Sequence, residues 1–410
     1  MTHTGKAFLR PAAATLARLY RGTLRLFGRQ TDEQTEPAKL QADLCLALAA
    51  RPVPGAADTA LPEAVLQAFS AEPLTAGDAR FIGRQQQSDR VLAAVDLWRA
   101  GRRSMIAVTG PQGCGITSFL QQLADRVGDH ETYRYSELTR RPYDISDTLA
   151  LLSAVVGCEQ PRDSVEQLVE YLDGLTPRVF AIDNGHFLAC RIMGANEAIR
   201  IFGAVMVATQ HRHLWLLGCQ EYAWRRLSYI YRAERYFGDH IELAFFSEAE
   251  LGECLASRLR ASGMELQTEG GGEQQPIPAV LARQLSILHK LSNGKPDLAC
   301  FYFLTSLLVP AGAGQLEMQA VLALDFSALK QLLSEELFTL AEVAAHGQLT
   351  LTEHRAVFRV SEQESRLLLE RLYHQCLLDK DPNAVEPTYR LVPLYSDVVT
   401  RYLSNANFLY

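Results

Sequence analysis

Between residues 104 and 245, short apolar runs alternate with longer stretches whose apolar residues recur every three or four positions. The runs are Ser104 to Thr109, "ETYRYSEL" near 131, "RVFAIDN" at 178, "HLWLLGC" at 213 and "HIELAFF" at 240. Between them lie "TSFLQQLADRV", "DISDTLALLSAVV", "SVEQLVEYLDGL" and "ANEAIRIFGAVMVATQ", which carry the helical period. Strands alternating with helices predict an α/β domain with a mainly parallel sheet flanked by helices, over residues 78–245.

The pattern then turns helical. "SEAELGECLASRLRASG" and "PAVLARQLSILHKLSNGKPDLACFYFLTSLLV" flank a glycine-rich loop at 269–276, predicting a helical region over 246–324. The uncharged stretch Leu298 to Leu316 is broken by Pro310, Gly312 and Gly314, so it reads as a buried helix with its exit loop rather than a membrane span. Residues 325–410 have a winged-helix order: helices over "SALKQLLSEELFTLAEVAAHG", "TEHRAVF" and "SEQESRLLLERLYHQCLL", then strands near Leu377 and at "TYRLVPL" around the turn "DPNA". Ser361 and Glu364 form a capping box at the start of the third helix. Residues 32–77, rich in Ala, Pro and Glu, read as short helices joined by a linker.

Charge changes the picture most at the N-terminus. Residues 1–31 hold Lys6, Arg10, Arg18, Arg21, Arg25 and Arg29 and no acid, so the remainder of a chain of net charge −7 stands at −13. Wound as a helix, Arg18, Arg21, Arg25 and Arg29 fall within an arc of about 80°. Leu16, Leu19, Tyr20, Leu24, Leu26 and Phe27 fill the opposite face. Such a helix suits an anionic membrane surface, or the cytoplasmic segment of a membrane protein. Two other readings stay open: packing on the protein's own body, and an arginine-rich targeting peptide.

Composition excludes more than it identifies. With 410 residues the chain is too long for one core, and 48% hydrophobic and 21% charged residues are those of an ordinary globular protein. Its eight cysteines include no C-x-x-C pair, so neither a disulfide framework nor a zinc site is expected, and no haem site either; a reducing cytoplasm is the natural compartment. An acidic body is a poor general nucleic-acid binder.

The candidate chemistry sits in "GPQGCGIT", residues 110–117. In the pattern G-x-x-x-x-G-K-[ST], glycines let backbone N–H groups close around phosphates, the lysine reaches the β/γ-phosphates and the hydroxyl holds magnesium. Gly110, Gly113, Gly115 and Thr117 suit that loop, whereas the lysine position holds Ile116. Strand, loop and helix follow in the order such a loop requires.

The segment order resembles the AAA+/STAND class of P-loop ATPases, near its origin-recognition and secretion-ATPase branches. "FIGR" at 81–84 is similar to the class's F-[IV]-G-R box, "GPQGCGIT" stands at Walker A and "VFAIDNGH" at Walker B. "LWLLGCQE" stands at the sensor-1 strand, "YFGDHIELAFFSEAEL" at the final strand and "LSNGKPDLA" at the lid's Gly-x-Pro segment. The resemblance covers residues 78–310 and the winged helix that often follows. It implies binding of ATP or ADP, with magnesium held indirectly by Thr117 and Asp183. Asn184 stands where the class has a glutamate that polarises water, and an amide cannot take a proton as a carboxylate can. His186 is a conceivable substitute. Arg235 is the nearest match to a finger arginine acting on a neighbouring copy, and Lys295 matches a lid cation beside nucleotide.

Two departures, Ile116 and Asn184, predict weakened nucleotide handling and slow or absent hydrolysis. The expected protein is a regulatory or scaffolding module at the inner face of a membrane. It would meet protein partners through its winged helix and N-terminal helix, and homo-oligomers are allowed. A slow ATP-dependent assembly switch is a second reading, and an origin-recognition-like DNA binder a third. The third is disfavoured by charge, since residues 327–410 hold eight Lys/Arg against eleven Asp/Glu.

Overall fold

The computed structural model describes residues 61–128, 132–192, 196–267, 277–310, 315–321, 323–324, 326–381 and 386–410. The basic tail, with Leu16, Arg18, Leu19, Arg21, Arg25, Phe27 and Arg29, lies outside the described residues, as does the linker up to residue 60.

Five strands form one sheet: β1 (Met105–Gly110), β2 (Tyr133–Glu137), β3 (Val179–Asp183), β4 (Leu214–Gln220) and β5 (Asp239–Glu242), in the order β2-β3-β4-β1-β5. All four pairings are parallel. Parallel neighbours cannot be joined by hairpins, so each connection crosses over the sheet through helices. In chain order the helices are α1 (Glu63–Ala68) and α2 (Gln85–Arg99) before β1, then the crossover helices α3 (Ile116–Gln122), α4 (Ala124–Val127), α5 (Ile145–Val156), α6 (Val165–Gly174), α7 (Glu197–Thr209) and α8 (Glu221–Tyr231). Helices α2, α3 and α4 cover one face of the sheet; α5 to α8 cover the other. Every residue of β1 and β3 is buried, which is why they read as continuous apolar runs without alternation.

Helix starts follow local chemistry. Asp144 accepts from Asp147 N ahead of α5, and Ser164 from Gln167 N ahead of α6. This is the α/β P-loop NTPase fold, with β1 running into the glycine loop and a lid after β5. The lid comprises α9 (Glu248–Ala261), α10 (Ala279–Ser292) and α11 (Pro296–Thr305), and α1 packs into the same apolar cluster through Val65, Ala68 and Phe69. Three short strands join it: β6 (Glu265–Leu266), β7 (Leu307–Leu308) and β8 (Gln315–Met318), paired β6-β8-β7. Strands of two to four residues carry no readable period, so the sequence pattern shows only the helices.

The last unit is a winged helix. It holds α12 (Ser334–His346), β9 (Leu349–Thr350), α13 (Leu351–Phe358), α14 (Glu362–His374), β10 (Leu378–Asp381), β11 (Thr388–Leu391) and α15 (Ser396–Asn405), with an antiparallel sheet ordered β10-β11-β9. The Ser361–Glu364 capping box is present. The long helix expected over 327–347 is instead split. A 3₁₀ turn, Ser327–Gln331, ends before α12, and Leu333 N donates to Glu336 at 2.7 Å, so Glu336 starts a new helix there.

The winged helix docks on the sheet domain through buried charges. Arg141 pairs with Glu353 at 5% and 3% exposure and donates to the Ala189 and His346 carbonyls. Arg191 and Arg226 converge on Glu342.

Candidate phosphate-binding site

The loop leaves β1 through a tight crossing. A Cβ on Gly110 would lie 2.4 Å from the Leu243 carbonyl oxygen and 2.5 Å from Cys114 Sγ, so no side chain fits where the loop passes the end of β5. Gly113 (φ +88°) and Gly115 (φ +94°) adopt left-handed backbone, the conformation from which phosphate-cradling nests are made. Around Gly115 a Cβ would meet nothing within 4 Å, which leaves room for a ligand at that point of the loop.

Arg84, at 5% exposure, braces this loop. Its Nη2 donates to the Cys114 carbonyl at 3.0 Å and the Ala244 carbonyl at 2.6 Å, and its guanidinium lies 4.7 Å from the Phe246 ring centroid. The "FIGR" box is therefore a structural clamp joining the loop to the chain just after β5.

Ile116 turns toward the sheet. A Cβ on Gly218 of β4 would sit 2.9 Å from Ile116 Cγ2 and 2.9 Å from Asp183 Oδ1, so this glycine makes the space in which both side chains lie. An isoleucine beside Asp183 supplies apolar surface where a lysine would supply charge.

Thr117 and Asp183 lie side by side. Thr117 Oγ1 donates to Asp183 Oδ2 at 2.7 Å, Tyr135 Oη donates to the same oxygen at 3.2 Å, and Asn184 N donates to Oδ1 at 2.7 Å. Burial raises the Asp183 pKa, and these three bonds oppose the rise. Burial, then the Asp183 charge, push the Tyr135 phenol upward, so it remains a donor at neutral pH. Tyr135 escaped the sequence reading because nothing in "ETYRYSEL" separates it from an ordinary strand tyrosine. Thr117 and Asp183 form a hard oxygen pair suited to magnesium, which would exchange with the hydrogen bond between them.

An acid whose pKa rises on folding is held less well in its charged form, so ionised Asp183 costs stability at neutral pH. That cost fades as pH falls through the carboxylate range. Asp183→Asn, whose amide can satisfy the same three partners, is expected to raise the unfolding temperature at pH 7 and to lose this advantage below about pH 4. Thermal unfolding of both proteins across that range checks it. An unchanged or lower midpoint at pH 7 would contradict the burial argument.

Asn184, after β3, is an engaged amide. Asn184 has φ 60° and ψ 36°, and its Nδ2 donates to the Leu138 carbonyl at 3.1 Å. His186 lies in the 3₁₀ turn Gly185–Leu188, buried against the winged helix. A Cβ on Gly347 would stand 2.4 Å from its ring. Burial and then Arg141 press its pKa down to about 3, so it is a neutral packing group at the domain junction.

Lys295 is fully buried at 0% exposure. Its Cε would be 2.7 Å from a Cβ on Gly113, which places it directly behind the loop. Its ammonium donates to the Pro393 carbonyl, to Ser396 Oγ at 2.9 Å and to the Leu394 carbonyl at 3.3 Å, with Asp297 Oδ2 at 3.4 Å. Burial lowers its pKa and raises that of Asp297. Arg235 is exposed on the 3₁₀ turn Ala233–Tyr236. Gly238 N donates to the Met105 carbonyl at the start of β1, so Arg235 stands at the opposite end of the sheet from its own loop.

No helix among the described residues is long and apolar enough to cross a membrane, and none of their His, Cys, Asp and Glu side chains cluster in threes as a metal site. No protein-family model matches the chain, and a search of curated proteins finds no match. Solved structures with a similar chain arrangement include the ORC2 protein of Aeropyrum pernix, at 15% identity and TM-score 0.43, covering 85% of this chain and 98% of that one. A Walker-type ATPase of Pyrococcus abyssi is similar at 11% identity and TM-score 0.44, covering 81% and 99%. RuvB of Thermotoga maritima is similar at 16% identity and TM-score 0.36, covering 78% and 95%.

Proposed function

We propose that this protein is a nucleotide-binding P-loop module that holds ATP or ADP without efficient turnover and uses the bound state to regulate or scaffold an assembly. The observation that carries this reading is the pairing of Ile116, packed beside Gly218, with Asn184, bonded to the Leu138 carbonyl. The loop thus has neither its usual cation nor a free carboxylate base, while the positive-φ glycines and the Thr117–Asp183 pair are kept. Bound magnesium ATP would supply a transferable phosphoryl group. This chain's residues would seat the phosphates and orient the metal, but they offer little to the developing charge of phosphoryl transfer.

Equilibrium binding of labelled ATP, with and without magnesium, tests the binding half. Binding below millimolar ATP is expected, weakened by Gly113→Ala and, in magnesium only, by Thr117→Ala. No detectable binding at millimolar nucleotide would sink the reading.

Assembly partners in this reading are proteins. The presumed recognition helix α14 has its charges paired: Arg366 with Glu362 at 2.7 Å, Arg371 with Glu336 at 2.9 Å and Lys380 with Glu370 at 2.5 Å. It also presents Leu367 at 72% exposure. Both features favour a protein surface over DNA phosphates. Arg235, exposed and far from its own loop, suits a contact with a neighbouring copy. The basic tail would hold the module at an anionic membrane or a membrane protein. Flotation with anionic liposomes should therefore be lost in a chain beginning at Gln34; equal flotation of both chains would remove the tail from the account.

A further inference from the structure

Tyr135 approaches the phosphate loop from β2, the edge strand of the five-stranded sheet, and its hydroxyl ends on the Asp183 carboxylate. In the parallel register Glu137 stands opposite Asp183 and Tyr135 opposite Ala181, so the phenol reaches Asp183 diagonally, two positions further along β3. Only a long, stiff side chain makes that reach. Its ring is half-buried and packs on the apolar cluster beneath α2, α3 and α4, which fixes where the hydroxyl stands.

Asp183 is 4% exposed, and its two oxygens have different surroundings. Oδ1 accepts from Asn184 N at 2.7 Å and lies over Gly218, where a Cβ would come 2.9 Å from it, 2.9 Å from Ile116 Cγ2 and 2.8 Å from Leu120 Cδ1. That side is closed by the sheet and by apolar groups. Oδ2 accepts from Thr117 Oγ1 at 2.7 Å and from Tyr135 Oη at 3.2 Å, so it is the oxygen turned toward the loop. No lysine or arginine among the described residues pairs with Asp183, and Ile116 brings no charge, so three neutral donors hold this buried carboxylate. If Thr117 gives up its bond to engage a divalent cation, Tyr135 is the side-chain donor that Oδ2 keeps.

We propose that Tyr135 is the positioning residue of the candidate magnesium site, holding Asp183 Oδ2 toward Thr117 so that a loop without a lysine still responds to a divalent cation. The inference rests on the nucleotide-binding reading above and adds to it what makes that binding depend on metal. Thr117 supplies a hydroxyl oxygen, Asp183 the charge and Tyr135 the orientation. Magnesium tolerates little departure from its preferred geometry, so a carboxylate free to turn about its Cβ–Cγ bond would hold it poorly. Hydrogen-bond partners of ligating carboxylates typically change metal affinity by about 10–100-fold.

The test compares the full-length wild type with Tyr135→Phe, which removes the hydroxyl and keeps the ring. Labelled ATP is titrated once in EDTA and again across a magnesium series. Tyr135→Phe should match the wild type in EDTA and need about tenfold more magnesium to reach half of the metal-dependent gain in affinity. A merely structural role would shift both titrations together. In an Asp183→Ala background the same change should alter neither titration, since the bond it removes is already gone. Free manganese, counted by electron paramagnetic resonance beside the ATP-loaded protein, reads the metal itself and should rise in Tyr135→Phe. Should that variant fold poorly, fluorotyrosine in place of Tyr135 keeps the hydroxyl, and its fluorine NMR signal should move when magnesium is added to ATP-loaded protein. A magnesium series for Tyr135→Phe that overlays the wild type, or a fluorine signal that magnesium leaves in place, overturns the inference while the nucleotide reading stands. Absence of ATP binding by the wild type removes both.

Discussion

Lys295→Met is expected to lower the unfolding free energy by about 3–5 kcal/mol, the scale of removing one partner from a buried ion pair. The side chain is fully buried, and the groups it serves belong to two units. Asp297 opens α11 in the lid, while Pro393, Leu394 and Ser396 lead into α15 of the winged helix. Methionine matches the length but returns no hydrogen bond. Two carbonyls and a hydroxyl are left without their donor, and Asp297 loses the cation that opposes its burial. Replacing both partners, Lys295→Met with Asp297→Leu, should destabilise less than the single change, because no charge is then stranded. Urea unfolding of the two variants measures the difference. A loss below about 1 kcal/mol for the single variant would mean that the ammonium is not the bond between lid and winged helix described above.

In the proposed reading, a lysine at 116 together with a glutamate at 184 should raise ATP hydrolysis more than any other change to the loop. Ile116→Lys together with Asn184→Glu is expected to increase turnover by about 10²–10³-fold, the effect of one well-placed charged donor or more. The open space at Gly115 gives a longer side chain at 116 a direction other than the Gly218 floor. Position 184 resists more. Its backbone is left-handed, where asparagine is tolerated far better than glutamate, so this change should cost about 1 kcal/mol of stability. The same geometry gives Asn184 a role in shaping the turn after β3. Neither single variant should approach the pair, since groups acting on one transition state are not additive. Steady-state phosphate release from the wild type, both singles and the double decides this. A double variant no faster than wild type would show that something besides these two residues limits the chemistry.

Much of this arrangement was legible in the residues. The five sheet strands were marked by β-branched and aromatic runs at the spacing that crossovers require. The partnership of Thr117 with Asp183 followed from loop and strand standing in order. Lys295 was readable as a lid cation, but its attachment was not, because Pro393 and Ser396 are about a hundred residues further on and nothing local predicts a contact at that range. Tyr135 was hidden for a different reason: its role comes from which face of β2 it occupies, and a one-residue shift in register would reverse that face. The split before α12 was missed because apolar residues at 329, 332, 333 and 337 fit a helical period equally well whether or not the backbone straightens between them.

The central claim is that the loop keeps its nucleotide and does not consume it. The most direct measurement follows ATP labelled on its γ-phosphate, at a concentration that saturates the purified full-length protein, and scores bound nucleotide and released phosphate in the same sample. The account predicts stoichiometric magnesium-dependent binding, with phosphate release indistinguishable from that of Asp183→Ala. Sustained turnover abolished by Asp183→Ala would contradict it.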